Sequence, residues 1–229
     1  MNFFIDRAIL EVAPRTRLAV LRVEDCEIGF GHGNLDETRL RVCTRLRKDI
    51  KTGHELVNVP QIAGVDQLMS HFDGQMRRPR TVTEDTLRKL LEGGPIPVEN
   101  DAVDSAVLLS IYYRLPVFAA DADKLVGDVG LVLGRESRDF EGHQGQARVR
   151  TEDRIFLTDD IGYFDCIVAA GKRAAVTERT QTVLLVAVFP ENVGDSIVRD
   201  FLRRARNWFE NLCGGEVTQE GMVGEPETG

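Results

Sequence analysis

The chain has 229 residues, of which 42% are hydrophobic and 29% are charged, and its formal net charge is −8. This length and balance fit one large globular domain or two small ones, and they exclude a disordered chain, a fibre and a disulfide miniprotein. The acidic total also argues against tight, non-specific binding to nucleic acid, DNA included, because such binding usually leaves a basic footprint.

The sequence carries no sign of export or membrane insertion. Asp6 and Arg7 interrupt the apolar run at the N-terminus, so it does not fit a signal peptide. The longest purely apolar run, 183–189, is far below the roughly 20 residues that span a bilayer. We therefore expect a cytoplasmic protein with no membrane contact and with reduced thiols instead of disulfides or a zinc site. The widely spaced cysteines are Cys26, Cys43, Cys166 and Cys213.

The first half of the chain is predicted to be mainly helical. Apolar residues at helical spacing indicate the helices, and Thr81 with Glu84 forms a capping box at the start of one of them. Asn100 or Asp101 is expected to cap another. In chain order, the predicted elements are strands over 8–12 and 17–23, then helices over 34–51, 62–72, from Thr81 to Gly93, and from about 100 to 114.

After residue 124 the pattern changes to short strands with turn residues between them. The last strand is nearly all apolar and is expected to be buried on both faces. An amphipathic helix over 193–212 closes a single predicted domain over 1–213, and residues 214–229 are expected to form a flexible acidic tail. The predicted strands cover 128–133, 146–150, 154–157, 165–169 and 182–189.

Standard catalytic and cofactor motifs are absent. The sequence has no P-loop, no H-E-x-x-H and no G-x-S-x-G, and the glycine-rich stretch 29–33 lacks the spacing of a dinucleotide fingerprint. The histidines have no paired spacing, so we expect no metal site and no cofactor. They are His32, His54, His71 and His143.

Two polar segments remain as candidate binding elements. Asp121 and Asp123 follow a short strand, where they form either an ordinary turn or a carboxylate at the rim of a pocket. Lys172 and Arg173 precede the polar segment 176–181, and together they form either a solvated hairpin or a grip for a carboxylate or phosphate.

Three basic clusters stand out against the acidic total. If they share one face, they make an electropositive surface for a polyanion; otherwise they are solvated helix faces. The clusters are the basic residues of 39–51, the segment Arg77-Arg78-Pro79-Arg80, and the basic residues of 199–206.

Three ordered segments carry a resemblance to a known family. They are 96–104 (IPVENDAVD), 115–129 (LPVFAADADKLVGDV) and 176–185 (VTERTQTVLL). They resemble the central B3/B4 domain of the phenylalanyl-tRNA synthetase β subunit, and more closely the freestanding proteins built on that domain. Residues 77–80 and 87–91 resemble the helical lead-in of the freestanding members. The resemblance covers about residues 60–190 and leaves 1–60 as an N-terminal extension.

The resemblance implies a fold and an activity. The fold would be a three-layer α/β structure with a β-sandwich of unusual topology, a helical lead-in and a C-terminal amphipathic helix. In the synthetase this domain hydrolyses tyrosine that is wrongly esterified to tRNA. Such a site orients water against an aminoacyl ester, stabilises an oxyanion and can use the ribose hydroxyl of the tRNA.

Several polar positions of the synthetase site differ in this chain. Its Thr-Asn pair corresponds to Ala106-Val107, its histidine to Phe118 and its glutamate to Lys172, so tyrosine editing by the synthetase mechanism is not expected. No catalytic residue is assigned. The predicted substrate-binding residues are Asn100, Asp104, Phe118, Asp121, Lys172, Arg173, Glu178 and Thr180.

Three functional hypotheses follow. The first is trans-editing, the hydrolysis of a mischarged aminoacyl-tRNA. The second is a non-catalytic module that binds RNA, an aminoacyl group, a small amino acid or a carboxylate, with the ligand carboxylate on Lys172 or Arg173. The third is a protein-interaction domain that uses an apolar surface patch and the acidic tail and has no concave polar pocket. Fold analogy supports the first two without distinguishing them.

Overall fold

Strand β9 (Val183–Phe189) lies at the centre of the fold, and all seven of its residues are buried, as predicted. It pairs with a strand on either side, antiparallel in both cases. The computed structural model describes residues 1–30, 33–72, 79–135, 139–142 and 149–225. Predictions on residues 31–32, Arg77, Arg78, His143, 146–148 and 226–229 lie outside these ranges.

The described residues form a mixed α/β fold, which confirms the predicted class. One sheet has the strand order β10-β2-β9-β3, a second has β1-β4-β7-β8, and β5 pairs with β6. The strands are β1 (Phe3–Ile5), β2 (Arg17–Glu24), β3 (Val117–Asp121), β4 (Val129–Leu133), β5 (Asp139–Phe140), β6 (Val149–Arg150), β7 (Ile155–Thr158), β8 (Tyr163–Cys166), β9 and β10 (Glu216–Val223).

The predicted helices of the first half are present, with shifts of a few residues at their ends. The α-helices are α1 (Arg7–Val12), α2 (Gly33–Asp49), α3 (Pro60–Ser70), α4 (Val82–Leu91), α5 (Asp101–Tyr113) and α6 (Asp195–Leu212). Short 3-10 helices cover Gly53–Asn58 and Ala122–Lys124. The side chain of Thr81 accepts the Glu84 N–H at 3.0 Å and that of Asn100 accepts the Val103 N–H at 3.0 Å, so both predicted caps are confirmed.

The predicted strand over 8–12 is wrong, because these residues lie in helix α1. Asp6 caps the helix, and its carboxylate accepts the Ala8 N–H at 3.1 Å. Ile9 is the buried residue of this helix. A segment of six residues is too short for its apolar spacing to distinguish one helical turn from a strand.

The predicted flexible tail is wrong over Glu216–Val223, which form strand β10 against β2. Val217, Met222 and Val223 pack against the core, and Glu220 pairs with Arg206 of α6 at 2.7 Å. This pairing covers an edge of β2 that would otherwise expose its backbone groups. The end of a single domain at residue 213 stays a prediction.

A buried ion pair joins β2 to the start of α6. Arg17 is 1% exposed, and its guanidinium contacts the carboxylate of Asp195 and donates to the carbonyl oxygen of Val193. Removing one member of such a pair leaves the other charge in the interior without its counterion. The contact therefore fixes the end of α6 against the β9 sheet.

Replacing Asp195 tests this contact. Asp195→Ala is expected to lower the free energy of unfolding by about 3–5 kcal/mol, because Arg17 keeps its charge in a buried site. Urea denaturation followed by circular dichroism measures the change. Glu11→Ala is the control, since it removes an exposed pair with Arg7 and should cost less than about 1 kcal/mol. Equal costs for the two variants would contradict the role assigned to the buried pair.

Candidate active site

A cavity of about 120 Å³ lies between helices α4 and α5, strand β3 and the segment that follows β8. We call it the α4–α5 cavity. Its walls are mostly apolar, which follows from the inward faces of the two helices and the sheet. Apolar lining residues include Val82, Val103, Ala106, Val107, Phe118 and Ile167.

The polar residues on the walls are hydroxyls and carboxylic acids. Glu99 and Asp165 supply the carboxyl groups, and the lining contains no Lys, Arg or His among the residues that the structure describes. The hydroxyls belong to Thr83, Thr86 and Ser110. Among the described residues, the cavity walls therefore carry acidic groups and no cation.

Asp165 is the most unusual group in the cavity wall. It is 8% exposed, and its Oδ1 accepts the backbone N–H groups of Cys166 at 2.8 Å and Gly171 at 3.0 Å. Within the described ranges, no Lys or Arg side chain pairs with it and no donor reaches its Oδ2. One carboxyl oxygen is thus fixed by the backbone, and among the described residues the other has no donor that a ligand or water would have to displace.

Burial raises the pKa of Asp165 to about 7, and the two backbone hydrogen bonds only partly offset this effect. The charged form loses hydration in the interior and gains no counterion there. At neutral pH the carboxyl is therefore divided between its neutral and ionised forms. A group in this state can accept or donate a proton at physiological pH.

Gly171 makes the close approach to Asp165 possible. A Cβ atom at this position would lie 1.7 Å from the carbonyl oxygen of Phe164. Only glycine allows the chain to pass here with its N–H directed at the carboxylate. The strand β8 and the turn after it therefore position Asp165 together.

Two of the predicted binding residues, Phe118 and Asn100, lie at or near this cavity, whereas Asp104 is directed elsewhere. Phe118 lines it from β3. Asn100 caps α5 and donates from Nδ2 to the carbonyl oxygen of Val176, a lining residue, at 3.3 Å. Asp104 points away toward α2, where it pairs with Arg39 at 2.7 Å, although burial raises its pKa.

Two other predicted residues, Asp121 and Thr180, are brought into direct contact. The Thr180 hydroxyl donates to Asp121 Oδ2 at 2.8 Å, and Lys124 pairs with the same oxygen at 3.1 Å. Glu178 is exposed on the turn that Thr180 closes by accepting the Thr177 N–H. This group ties the end of β3 to the segment before β9.

Lys172 and Arg173 lie outside the α4–α5 cavity, in a shallow depression beside Tyr163. Lys172 pairs with Glu141 at 3.0 Å, and Arg173 pairs with Asp159 at 2.7 Å. Burial of Asp159 would raise its pKa, but hydrogen bonds from Arg173 and two backbone N–H groups bring the pKa below its ordinary value. Both cations are therefore already neutralised by carboxylates of the chain.

Two of the three basic clusters meet at the C-terminal end of α5. Arg45 of α2 and Arg204 of α6 lie 4.5 and 4.3 Å from the centre of the Tyr112 ring. Arg80 lies elsewhere, beside Lys51 in a groove between α4 and the 3-10 helix Gly53–Asn58. Arg80 and Lys51, which follows the end of α2, therefore belong to a different group from Arg45 and Arg204.

The described residues contain no cluster of three or more His, Cys, Asp or Glu side chains arranged to hold a metal ion. Every helix in the described ranges is too short or too polar to cross a membrane.

Asp165 and Glu99 were not among the binding residues predicted from the sequence. The available signal was an aspartate between Phe164 and Cys166 in a predicted strand, because aspartate is disfavoured in strands unless the site requires it. The cavity itself depends on which faces of α4, α5 and β3 meet, and no local pattern specifies that.

The raised pKa of Asp165 predicts a pH-dependent stability. Between about pH 4 and pH 7 the unfolded chain releases this proton and the folded chain keeps it, so raising the pH favours unfolding. The quantity to follow is the free energy of unfolding of the wild type minus that of Asp165→Asn. This difference should fall by about 1.4 kcal/mol per pH unit in this range and level off above pH 7. Urea denaturation at several pH values measures the difference. A constant difference between pH 5 and pH 7 would contradict the assignment.

Comparison with known proteins identifies the family of this chain. Residues 74–214 match the model of the B3/4 domain. Curated proteins gave no match. Fifteen chains among solved structures match. One is an N-terminal fragment of the phenylalanyl-tRNA synthetase β subunit from Pyrococcus horikoshii, at 12% identity and a TM-score of 0.46.

That match covers 96% of this chain and 53% of the fragment, so the chain spans about half of the fragment's length. The family match extends over more than half of this chain and confirms the resemblance found in the sequence. The chain belongs to the B3/4 domain family.

Proposed function

We propose that this chain hydrolyses the ester of a mischarged aminoacyl-tRNA and binds the aminoacyl group in the α4–α5 cavity. The observation that carries the proposal is the Asp165 carboxyl, which is buried in the cavity wall with no cation beside it among the described residues. The B3/4 domain is associated with tRNA binding and editing in phenylalanyl-tRNA synthetase, and this association supports an aminoacyl-tRNA as the substrate.

The charge of the cavity favours an esterified amino acid over a free one. A free amino acid brings a carboxylate, which would be buried beside Asp165 with no Lys, Arg or His among the described lining residues, and such burial is costly. In an aminoacyl ester the carboxylate is masked and the α-ammonium keeps its positive charge. The ionised Asp165 carboxyl complements that charge.

Asp165 is placed to act as the general base. With Oδ1 held by two backbone N–H groups, Oδ2 accepts a proton from a water molecule as that water attacks the ester carbonyl carbon. The bond from this carbon to the ribose oxygen then breaks, and the proton passes from Asp165 to that oxygen. The products are the free amino acid and the tRNA with its hydroxyl restored.

The alternative of a small-carboxylate site on Lys172 and Arg173 has less support. A ligand carboxylate would have to displace Glu141 or Asp159, both of which already pair with these cations. A non-catalytic module that binds the aminoacyl group in the α4–α5 cavity remains the second hypothesis, and the assay below separates it from hydrolysis.

The RNA part of the substrate needs positive charge, which the chain concentrates locally despite its total of −8. Arg45 and Arg204 hold their guanidinium groups on the Tyr112 ring, where stacking orients them before any ligand binds. Their nearest carboxylates, Asp49 at 3.7 Å and Asp200 at 4.0 Å, make only long ion pairs with them. Pre-ordered arginines suit contacts with phosphate groups. This surface supports RNA binding by the proposed enzyme.

A deacylation assay tests the proposal. The purified protein is expected to hydrolyse at least one of a panel of mischarged aminoacyl-tRNAs, and Asp165→Asn should reduce the rate at pH 7 by at least about 100-fold because the base is lost. Asp153→Asn is the matched control: Asp153 is exposed, does not line the cavity and has φ of 59°, a conformation that asparagine also adopts.

Further outcomes separate the hypotheses. Lys172→Ala is expected to keep the wild-type rate, since Lys172 lies outside the cavity. Full activity in Asp165→Asn would overturn the role of Asp165. Absence of hydrolysis across the panel, in protein that circular dichroism shows to be folded, would overturn the enzyme hypothesis and leave the binding module.

A further inference from the structure

We infer that the α4–α5 cavity selects a small aliphatic aminoacyl side chain, of the size of valine or leucine, over an aromatic one. The inference rests on the proposed function for its substrate type and on the shape and chemistry of the cavity for the side chain. It concerns recognition alone, so a binding measurement tests it without hydrolysis.

Size favours a small side chain. The cavity measures about 120 Å³, which is less than the roughly 150 Å³ of an apolar cavity known to bind benzene. A phenol or benzyl group is larger than benzene, so a branched chain of three or four carbons fits this space better. Protein walls are densely packed and resist expansion, so an oversized ring meets a steric cost.

The hydroxyls of the cavity are the second argument. Thr83 and Ser110 are hydrogen-bonded to each other at 2.8 Å, and Thr83 Oγ1 also lies 3.2 Å from the carbonyl oxygen of Leu115. Thr86 donates to the carbonyl oxygen of Val82 at 2.8 Å. These hydroxyl groups are committed to the protein, so they do not offer donors to a polar side chain.

The third argument is the apolar character of the remaining wall. Ala106 and Val107 line the cavity from α5. Among the described lining residues, no side chain carries a positive charge or an amide group. Ala106 is 3% exposed, so its methyl group is a buried part of the cavity wall. Burying an aliphatic side chain here removes apolar surface from water, which favours a ligand that fills the space.

Amino-acid amides provide the test, because an amide keeps the α-ammonium, masks the carboxylate and resists hydrolysis. Isothermal titration calorimetry at pH 7 would compare L-leucinamide, L-tyrosinamide and free L-leucine. Leucinamide is expected to bind at least about tenfold more tightly than either of the others. Equal or tighter binding of tyrosinamide would overturn the inference, and so would the failure of leucinamide to bind.

Two variants test which lining residues set the size preference of the cavity. Ala106→Leu fills the cavity and should abolish leucinamide binding, whereas Val107→Ala enlarges it and should raise the affinity for tyrosinamide relative to leucinamide. Circular dichroism confirms folding, and if Ala106→Leu does not fold, Val107→Ala alone decides. An unchanged preference in Val107→Ala would contradict the assignment of this wall.

The failure of this inference can be distinguished from the failure of the proposed function. Asp165-dependent hydrolysis restricted to tyrosyl-tRNA would support the proposed function and overturn this inference. Preferential leucinamide binding in a protein that hydrolyses no ester would support this inference and overturn the proposed hydrolysis.

Discussion

The burial of strand β9 on both faces is the constraint on which the rest of the fold depends. Its seven residues pair with β2 on one side and β3 on the other, and the register of both neighbours follows from it. Because β3 is fixed in this way, its residues Val117, Phe118 and Ala119 form one wall of the α4–α5 cavity, and α5 packs beside them. The position of the candidate site is thus a consequence of how the central sheet is covered.

Ionised Asp165 destabilises the folded core. A carboxylate without a counterion loses hydration in the interior, which is why its pKa is about 7. Two backbone N–H groups and the glycine at position 171 hold it there at a cost in stability above that pH. Ionisable groups with strongly shifted pKa values are concentrated at functional sites of proteins. Several other buried aspartates have cation partners, among them Asp104, Asp121, Asp159 and Asp195.

Much of the fold could be predicted from local chemistry. Thr81 and Asn100 began their helices as the capping pattern indicated, and the apolar run of β9 predicted its burial. The sequence could not predict α1 or β10, because α1 depends on the Asp6 cap in a very short segment, and β10 depends on the free edge of β2. The site was harder still. Phe118 and Asn100 lie at or near the cavity, whereas Lys172 and Arg173 lie outside it and pair with Glu141 and Asp159. The environment of Asp165 is formed by elements that are distant in sequence, so no local pattern could indicate it.

The most direct test of this account is the titration of Asp165 itself, followed by the ¹³C chemical shift of its carboxyl carbon. The signal would be assigned by its loss in Asp165→Asn. The account predicts a midpoint near pH 7, in agreement with a buried carboxyl that has no counterion. A midpoint near 4, the ordinary value for an aspartate, would mean that the group is hydrated or paired in solution. The proposed general base would then lack its physical basis.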